Sequence, residues 1–206
     1  KDMQQYLSTV KNDIPKISNQ ITDLQKVISH GKSLTSATKT TLAATKSDLA
    51  DGLADLQTDN QQLSALASDL RASSANPSSS LIKTEIAQSQ TVTNTILDHL
   101  NNALRLADII NNIFPSNRTT SLVRSISQAK KTVRQQQRNL NNLKSKAAAG
   151  SSKQTLSRLA AKIARTSTQL GRNIDAANTS FNDSVSQGLD NLNNTLTTGM
   201  TGDDQV

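Results

Sequence analysis

The sequence predicts an all-α chain, an elongated antiparallel coiled-coil hairpin stalk carrying a distal four-helix bundle head. Three observations lead there. Every seventh position from Leu7 runs Leu7, Ile14, Ile21, Ile28, Thr35, Leu42, Leu49, Leu56, Leu63 and Leu70, and all but one are Leu or Ile. Such a row is one edge of a coiled-coil seam, and a strict seven-residue repeat makes a helix supercoil left-handedly around its partner. The 206 residues are only 34% hydrophobic and include three aromatics, Tyr6, Phe114 and Phe181, which suits a thin Leu/Ile/Ala core better than a globular one. Pro77, Pro115 and Gly150 fall between periodic stretches and cut the chain into four helices.

Helix one is expected over about 13–72, with Pro15 in its first turn and Asn12 or Asp13 as cap. That is roughly 90 Å of rod at 1.5 Å per residue. Its second seam edge, read three residues on, begins as Val10, Ile17 and Leu24 and weakens to Gly31, Thr38, Thr45, Gly52 and Asp59 before Leu66. The Ser73–Ser80 stretch with Pro77 closes the helix. Helix two follows the seam Ile82, Ile86, Ser89, Thr93, Ile96, Leu100, Ala103, Ala107, Ile110 and Phe114, and Pro115 ends it. Helix three starts near 119 and carries Leu122, Ile126, Ala129, Val133, Gln136, Leu140, Leu143 and Ala147; Gly150 stops it and a serine caps the next. Helix four carries Leu156, Ala160, Ile163, Ser167, Leu170, Ile174, Ala177 and Phe181, then shifts phase to Val185, Leu189, Leu192, Leu196 and Met200, and frays from Gly199.

Helices two and three are too short to follow helix one to its base. The expected division is a stalk of about 1–36 and 187–206 and a head of about 37–186, with the 73–80 and 148–152 loops together at the far tip. Ser18 and Thr201 then lie close, and Phe114 and Phe181 close the end of the head near Leu42.

Charge is unevenly spread. Arg118 to Arg172 holds thirteen bases and no acid, while the rest of the chain holds ten bases and sixteen acids, giving +7 in all. These bases face either acids of helix one or an anionic partner. If residue 70 lies beside residue 153, Asp59 comes near Arg165 and Asp51 near Arg172, with Asp48 and Asp55 on the same stretch. An anionic cell-wall polymer is the alternative partner; nucleic acid is not expected, since no aromatics for base stacking accompany the bases.

No catalytic constellation, cofactor motif or metal cluster is found. Glu85 is the one glutamate, His30 and His99 read as separate solvated histidines, and the seven glycines are isolated. The chain has no cysteine and no apolar run near 18 residues, and it begins at Lys1, so any targeting signal or membrane helix is expected to lie outside this piece.

Leu49-Ala50-Asp51-Gly52-Leu53-Ala54-Asp55-Leu56 and Ser186-Gln187-Gly188-Leu189-Asp190-Asn191-Leu192 resemble the xxGLxxL repeats in the extracellular region of the Pip/YhgE family, the phage infection proteins of Gram-positive bacteria. The resemblance implies a non-enzymatic, surface-exposed module of a membrane protein, extracellular and anchored by transmembrane segments outside this piece, with a phage tail or receptor-binding protein as partner. A four-helix sensor ectodomain and a purely structural coiled coil are the other classes left open. The candidate partner-binding residues are Asn76, Pro77, Gly150 and Ser151 at the tip, and Arg134 and Arg138 on the basic stretch.

Overall fold

The computed structural model describes residues 36–75 and 79–202, with residues 18, 19 and 22 taken singly. Its helices are α1 (Ser36–Ala75), α2 (Ser79–Ile113), α3 (Asn117–Ala148), α4 (Lys153–Ser180) and α5 (Ser186–Gly202), the last two joined by a π-helical turn, Phe181–Val185. α1 packs against α2 and α4, and α3 packs against the same two, so the four close an up-down-up-down bundle. The chain is all-α. Most of the predicted stalk of helix one, residues 1–35 apart from 18, 19 and 22, lies outside the described residues, and with it the test of the approach of Ser18 to Thr201; Asn76, Pro77 and His30 lie outside them too.

The seams follow the sequence pattern closely in α2, α3 and α4. All ten predicted α2 positions are buried, as are Leu122 to Leu143 in α3 and Leu156 to Phe181 in α4. The one change concerns α1. From Leu49 to Leu70 the second edge lies four residues after each seam leucine, at Leu53, Asn60, Ala67 and Ser74, while the expected column three after is kept at buried Thr45 and at Leu66, which packs against the larger cluster. Leu53, Ala67 and Ser74 are at most 1% exposed, whereas Asp51 and Asp55 face outward.

The phase shift after Phe181 has a structural counterpart. From Ala177 the seam takes three steps of four, through Phe181 and Val185 to Leu189, one residue more than a regular helix can hold on one face. The π turn absorbs that residue, with the Ser186 amide donating to the Phe181 carbonyl, and Val185, Leu189 and Leu192 stay buried.

Two apolar clusters share the bundle. One holds Leu70, Ile82, Ile86, Leu140, Leu143, Leu156 and Ile163 at the tip; the other runs from Leu63, Val92, Val133 and Leu170 down to Leu42 and Leu192. Between them lie buried Ser89, Thr93, Gln136, Asn139 and Ser167. Gln136 Nε2 donates to the Ile163 carbonyl at 3.1 Å and to Ser167 Oγ at 3.0 Å. A hydrogen-bonded layer of this kind favours one alignment of helices over a slip by a heptad.

The turns are built by their own sequences. Ser116 caps α3 by a reciprocal pair of bonds with Thr119, both buried. After α3, Gly150 takes φ +66°, and the Gly150 and Ser151 amides donate to the Ala147 and Lys146 carbonyls, the two bonds of a Schellman stop.

At the tip, α1 does not end at Arg71. It continues through buried Ser73 and Ser74, because Ser73 Oγ donates to Glu85 Oε1 at 2.8 Å and the Ser74 carbonyl accepts from Ser157 Oγ at 3.2 Å. Residue 74 therefore lies beside 157, about one heptad away from the predicted alignment of 70 with 153. Lower contacts keep the same register: Asn178 Nδ2 reaches the Leu53 carbonyl at 3.3 Å and Gln57 Nε2 reaches Asp175 at 3.3 Å.

Phe114 and Phe181 both sit in the larger cluster with Leu42. The Phe114 ring lies over Gly188, where an added Cβ would stand 3.3 Å from a ring carbon. Phe181 lies seven residues, two helical turns, before that contact.

Candidate anion-binding face

The corrected register changes what the basic stretch can meet. Asp59 does not face Arg165; its Oδ2 is 2.7 Å from His99 Nδ1 on α2, so His99 is a bonded, half-buried histidine rather than a solvated one. Asp51 and Asp55 make no ion pair with Arg172. Lys153 apart, no base of 118–172 has an acid within 4 Å among the described residues; Lys46 on α1 pairs with Asp190 on α5. Residues 36–113 carry five bases and eight acids, whereas 117–180, the span of α3 and α4, carries thirteen bases and one acid, Asp175.

Six of these bases form two rows. Arg124, Lys131 and Arg138 recur every seven residues along α3, and Arg158, Arg165 and Arg172 do so along α4; all six are exposed. Seven residues rise about 10.5 Å, so each row is roughly 21 Å long. Between α3 and α4 runs a groove of about 530 Å³ lined by Lys131, Gln135, Arg138, Lys162, Arg165 and Gln169, with Thr132 and Thr166.

The groove floor is a pair of matching hydrogen-bond chains. Gln135 Nε2 donates to Asn139 Oδ1 at 3.0 Å, Asn139 Nδ2 to Thr166 Oγ1 at 3.0 Å, and Thr166 Oγ1 to the Lys162 carbonyl at 3.0 Å. In the other direction Gln169 Nε2 donates to Asn173 Oδ1 at 3.1 Å, Asn173 Nδ2 to Thr132 Oγ1 at 2.8 Å, and Thr132 Oγ1 to the Gln128 carbonyl at 3.1 Å. Both chains come from one motif used twice. Lys131-Thr132-x-x-Gln135-x-x-Arg138-Asn139 recurs 34 positions later as Arg165-Thr166-x-x-Gln169-x-x-Arg172-Asn173. Because α3 and α4 are antiparallel, the two hydrogen-bond chains are related by an approximate local two-fold axis, although the groove lining is not symmetric: Arg138 and Lys162 line it, and Arg172 and Gln128 do not.

Of the sequence-predicted residues, Arg138 lines this groove and Arg134 does not. Arg134 is exposed on the side of α3 where Gln137 and Asn141 bond to Asn94 and Gln90 of α2. Gly150 is exposed and Ser151 half-buried at the turn between α3 and α4, a helix length from the π turn. Lys131 was not singled out from the sequence, and Arg165 and Arg172 were expected to pair with acids of helix one rather than to bind a partner. The repeat of K/R-T-x-x-Q-x-x-R-N at a spacing of 34 is the signal that marks them.

Among the described residues no group of three or more His, Cys, Asp or Glu could hold a metal ion, and no helix is long and apolar enough to cross a membrane. Compared with family models, curated proteins and solved structures, the chain finds no match.

Proposed function

We propose that this chain is a non-enzymatic interaction module that engages an anionic surface partner through the α3–α4 face. One observation carries the reading: thirteen bases fall within residues 118–172, a stretch with no acid, and, Lys153 apart, none of them has an acid within 4 Å among the described residues. Evolution toward stability alone gives no reason to gather like charge on one face, since self-repulsion opposes folding. The face is long, straight and exposed, and attraction at such a face raises the rate of encounter with a polyanion. Retention of the purified chain on an immobilised anionic polymer at low salt tests it. Reversing Arg138 and Arg165 to Glu should abolish retention while leaving the helical circular dichroism unchanged. Unchanged retention would refute the assignment of the face.

The reading extends to an extracellular module of a membrane-anchored protein that a phage tail or receptor-binding protein exploits. Support comes from the two GLxxL stretches: Leu53, Leu56, Leu189 and Leu192 are all core residues, so the repeats serve the bundle that presents the face. The turn at Gly150 and Ser151 is the best-presented tip segment for such a partner. Replacing it, together with Asn76-Pro77, by short glycine linkers should abolish phage adsorption to cells displaying the module. Full adsorption by the folded variant would remove the tip from the proposal.

A further inference from the structure

We infer that the α3–α4 groove is a site for a linear polyol phosphate chain, gripped by Arg138 and Arg165 at one rung and, at the other, by Lys131 from the lining and Arg172 from just beyond it. This rests on the reading of the α3–α4 face as the binding surface and goes further, to the class of polymer. The rungs follow from the hydrogen bonds across the groove. Lys131 and Arg172 precede Thr132 and Asn173, which are bonded at 2.8 Å, and Arg138 and Arg165 precede Asn139 and Thr166, bonded at 3.0 Å. The approximate local axis exchanges Lys131 with Arg165 and Arg138 with Arg172, so it exchanges one rung with the other. The two rungs are about 10.5 Å apart along the helices.

The occupant is set by three properties. Four cations and no acid call for an anion repeated along a line, and Arg favours phosphate through its planar fork of donors. No aromatic side chain lies on either helix between residues 117 and 180, so there is no platform for bases and the bound chain has none. Gln135 and Gln169 each spend an amide hydrogen on the neighbouring Asn, while their side-chain carbonyls have no partner among the described residues. A carbonyl accepts from a hydroxyl and repels a phosphate oxygen. The floor therefore suits hydroxyl-bearing spacers between phosphates, which a polyol phosphate has and a pure phosphate chain lacks.

The test uses the full chain and poly(glycerol phosphate) of defined length, with binding read by calorimetry over a range of salt. Four neutralised phosphates predict a slope of log K against log salt of about −3. Lys131→Gln with Arg172→Gln should weaken binding by roughly tenfold, and Arg138→Gln with Arg165→Gln by the same factor. All four together should weaken it by roughly 100-fold, while Arg118→Gln, Lys130→Gln, Lys144→Gln and Lys146→Gln together should weaken it far less. Equal losses in the two fourfold variants would overturn the site and leave the broader basic-face reading standing; no binding by the unaltered chain would overturn both. A tenfold difference between the two rung variants would overturn the two-rung grip. Tighter binding of oligothymidylate with the same number of phosphates would point to nucleic acid, and tighter binding of inorganic polyphosphate would overturn the polyol assignment.

Discussion

Replacing Gly188 by alanine tests where the α2–α3 turn docks, and Gly52 provides the internal control. Both glycines lie inside helices, where alanine is favoured by about 1 kcal/mol. A Cβ on Gly52 meets nothing within 4 Å, so Gly52→Ala should gain the full amount. A Cβ on Gly188 would stand 3.3 and 3.6 Å from two carbons of the Phe114 ring, and that ring is 5% exposed with no open side to retreat into. Overpacking of this kind costs about 1–3 kcal/mol. Gly188→Ala should then range from neutral to destabilising by about 2 kcal/mol. Urea unfolding followed by helical circular dichroism measures both, and in a chain of this size 1 kcal/mol moves the thermal midpoint by about 2–4 °C. Phe114→Ala alone should cost about 3–5 kcal/mol. In that background Gly188→Ala should gain as much as Gly52→Ala, giving a coupling of about 1–3 kcal/mol. If Gly188→Ala stabilises the unaltered chain as much as Gly52→Ala does, Phe114 does not rest on α5 and the register between the turn and the π turn is wrong.

Other outcomes follow from the same contacts. Gln136→Ala should cost about 2–4 kcal/mol in urea unfolding, because it empties a fully buried site and removes the bonds to Ile163 and Ser167, while Gln136→Leu with Ser167→Ala should stay within about 1 kcal/mol of the parent; a double variant as unstable as the alanine would contradict the layer's role as alignment rather than strength. Gly150→Ala should cost about 1 kcal/mol because φ there is +66°, and no loss would mean that the Schellman stop is not formed. Lys46→Ala should change stability by less than about 1 kcal/mol, since its partner Asp190 is 61% exposed; a larger loss would show that the pair is sheltered.

Much of the fold was legible because seam positions in α2, α3 and α4 need nothing beyond periodicity, and even the π turn was written as three successive steps of four. The register was not. Ser73-Ser74-Ala75 has the composition of a loop, yet Glu85 and Ser157 supply bonds that keep it helical, and those partners are 12 and 83 residues away. Taking α1 to end early set Asp59 level with Arg165 rather than Arg172, and the sequence did not show that Asp59 turns to His99 on α2 instead of to α4. The second edge of α1 was legible only in part: the column three residues on gives buried Thr45 and the packed Leu66, but at Gly52 and Asp59 the core instead uses Leu53 and its neighbours from the column after it. Arg138 was legible as part of a charge run. Its three groove companions needed the motif repeat, whose meaning depends on α3 and α4 being antiparallel neighbours.

The most direct test of the basic face is a side-chain map of the arginines. With the Nε–H groups resolved by nuclear magnetic resonance, titration with a short poly(glycerol phosphate) should shift the signals of Arg138, Arg165 and Arg172 first and leave those of Arg71 and Arg105 in place. Shifts centred on Arg71 or Arg105, or uniform shifts across all arginines, would contradict a binding face on α3 and α4.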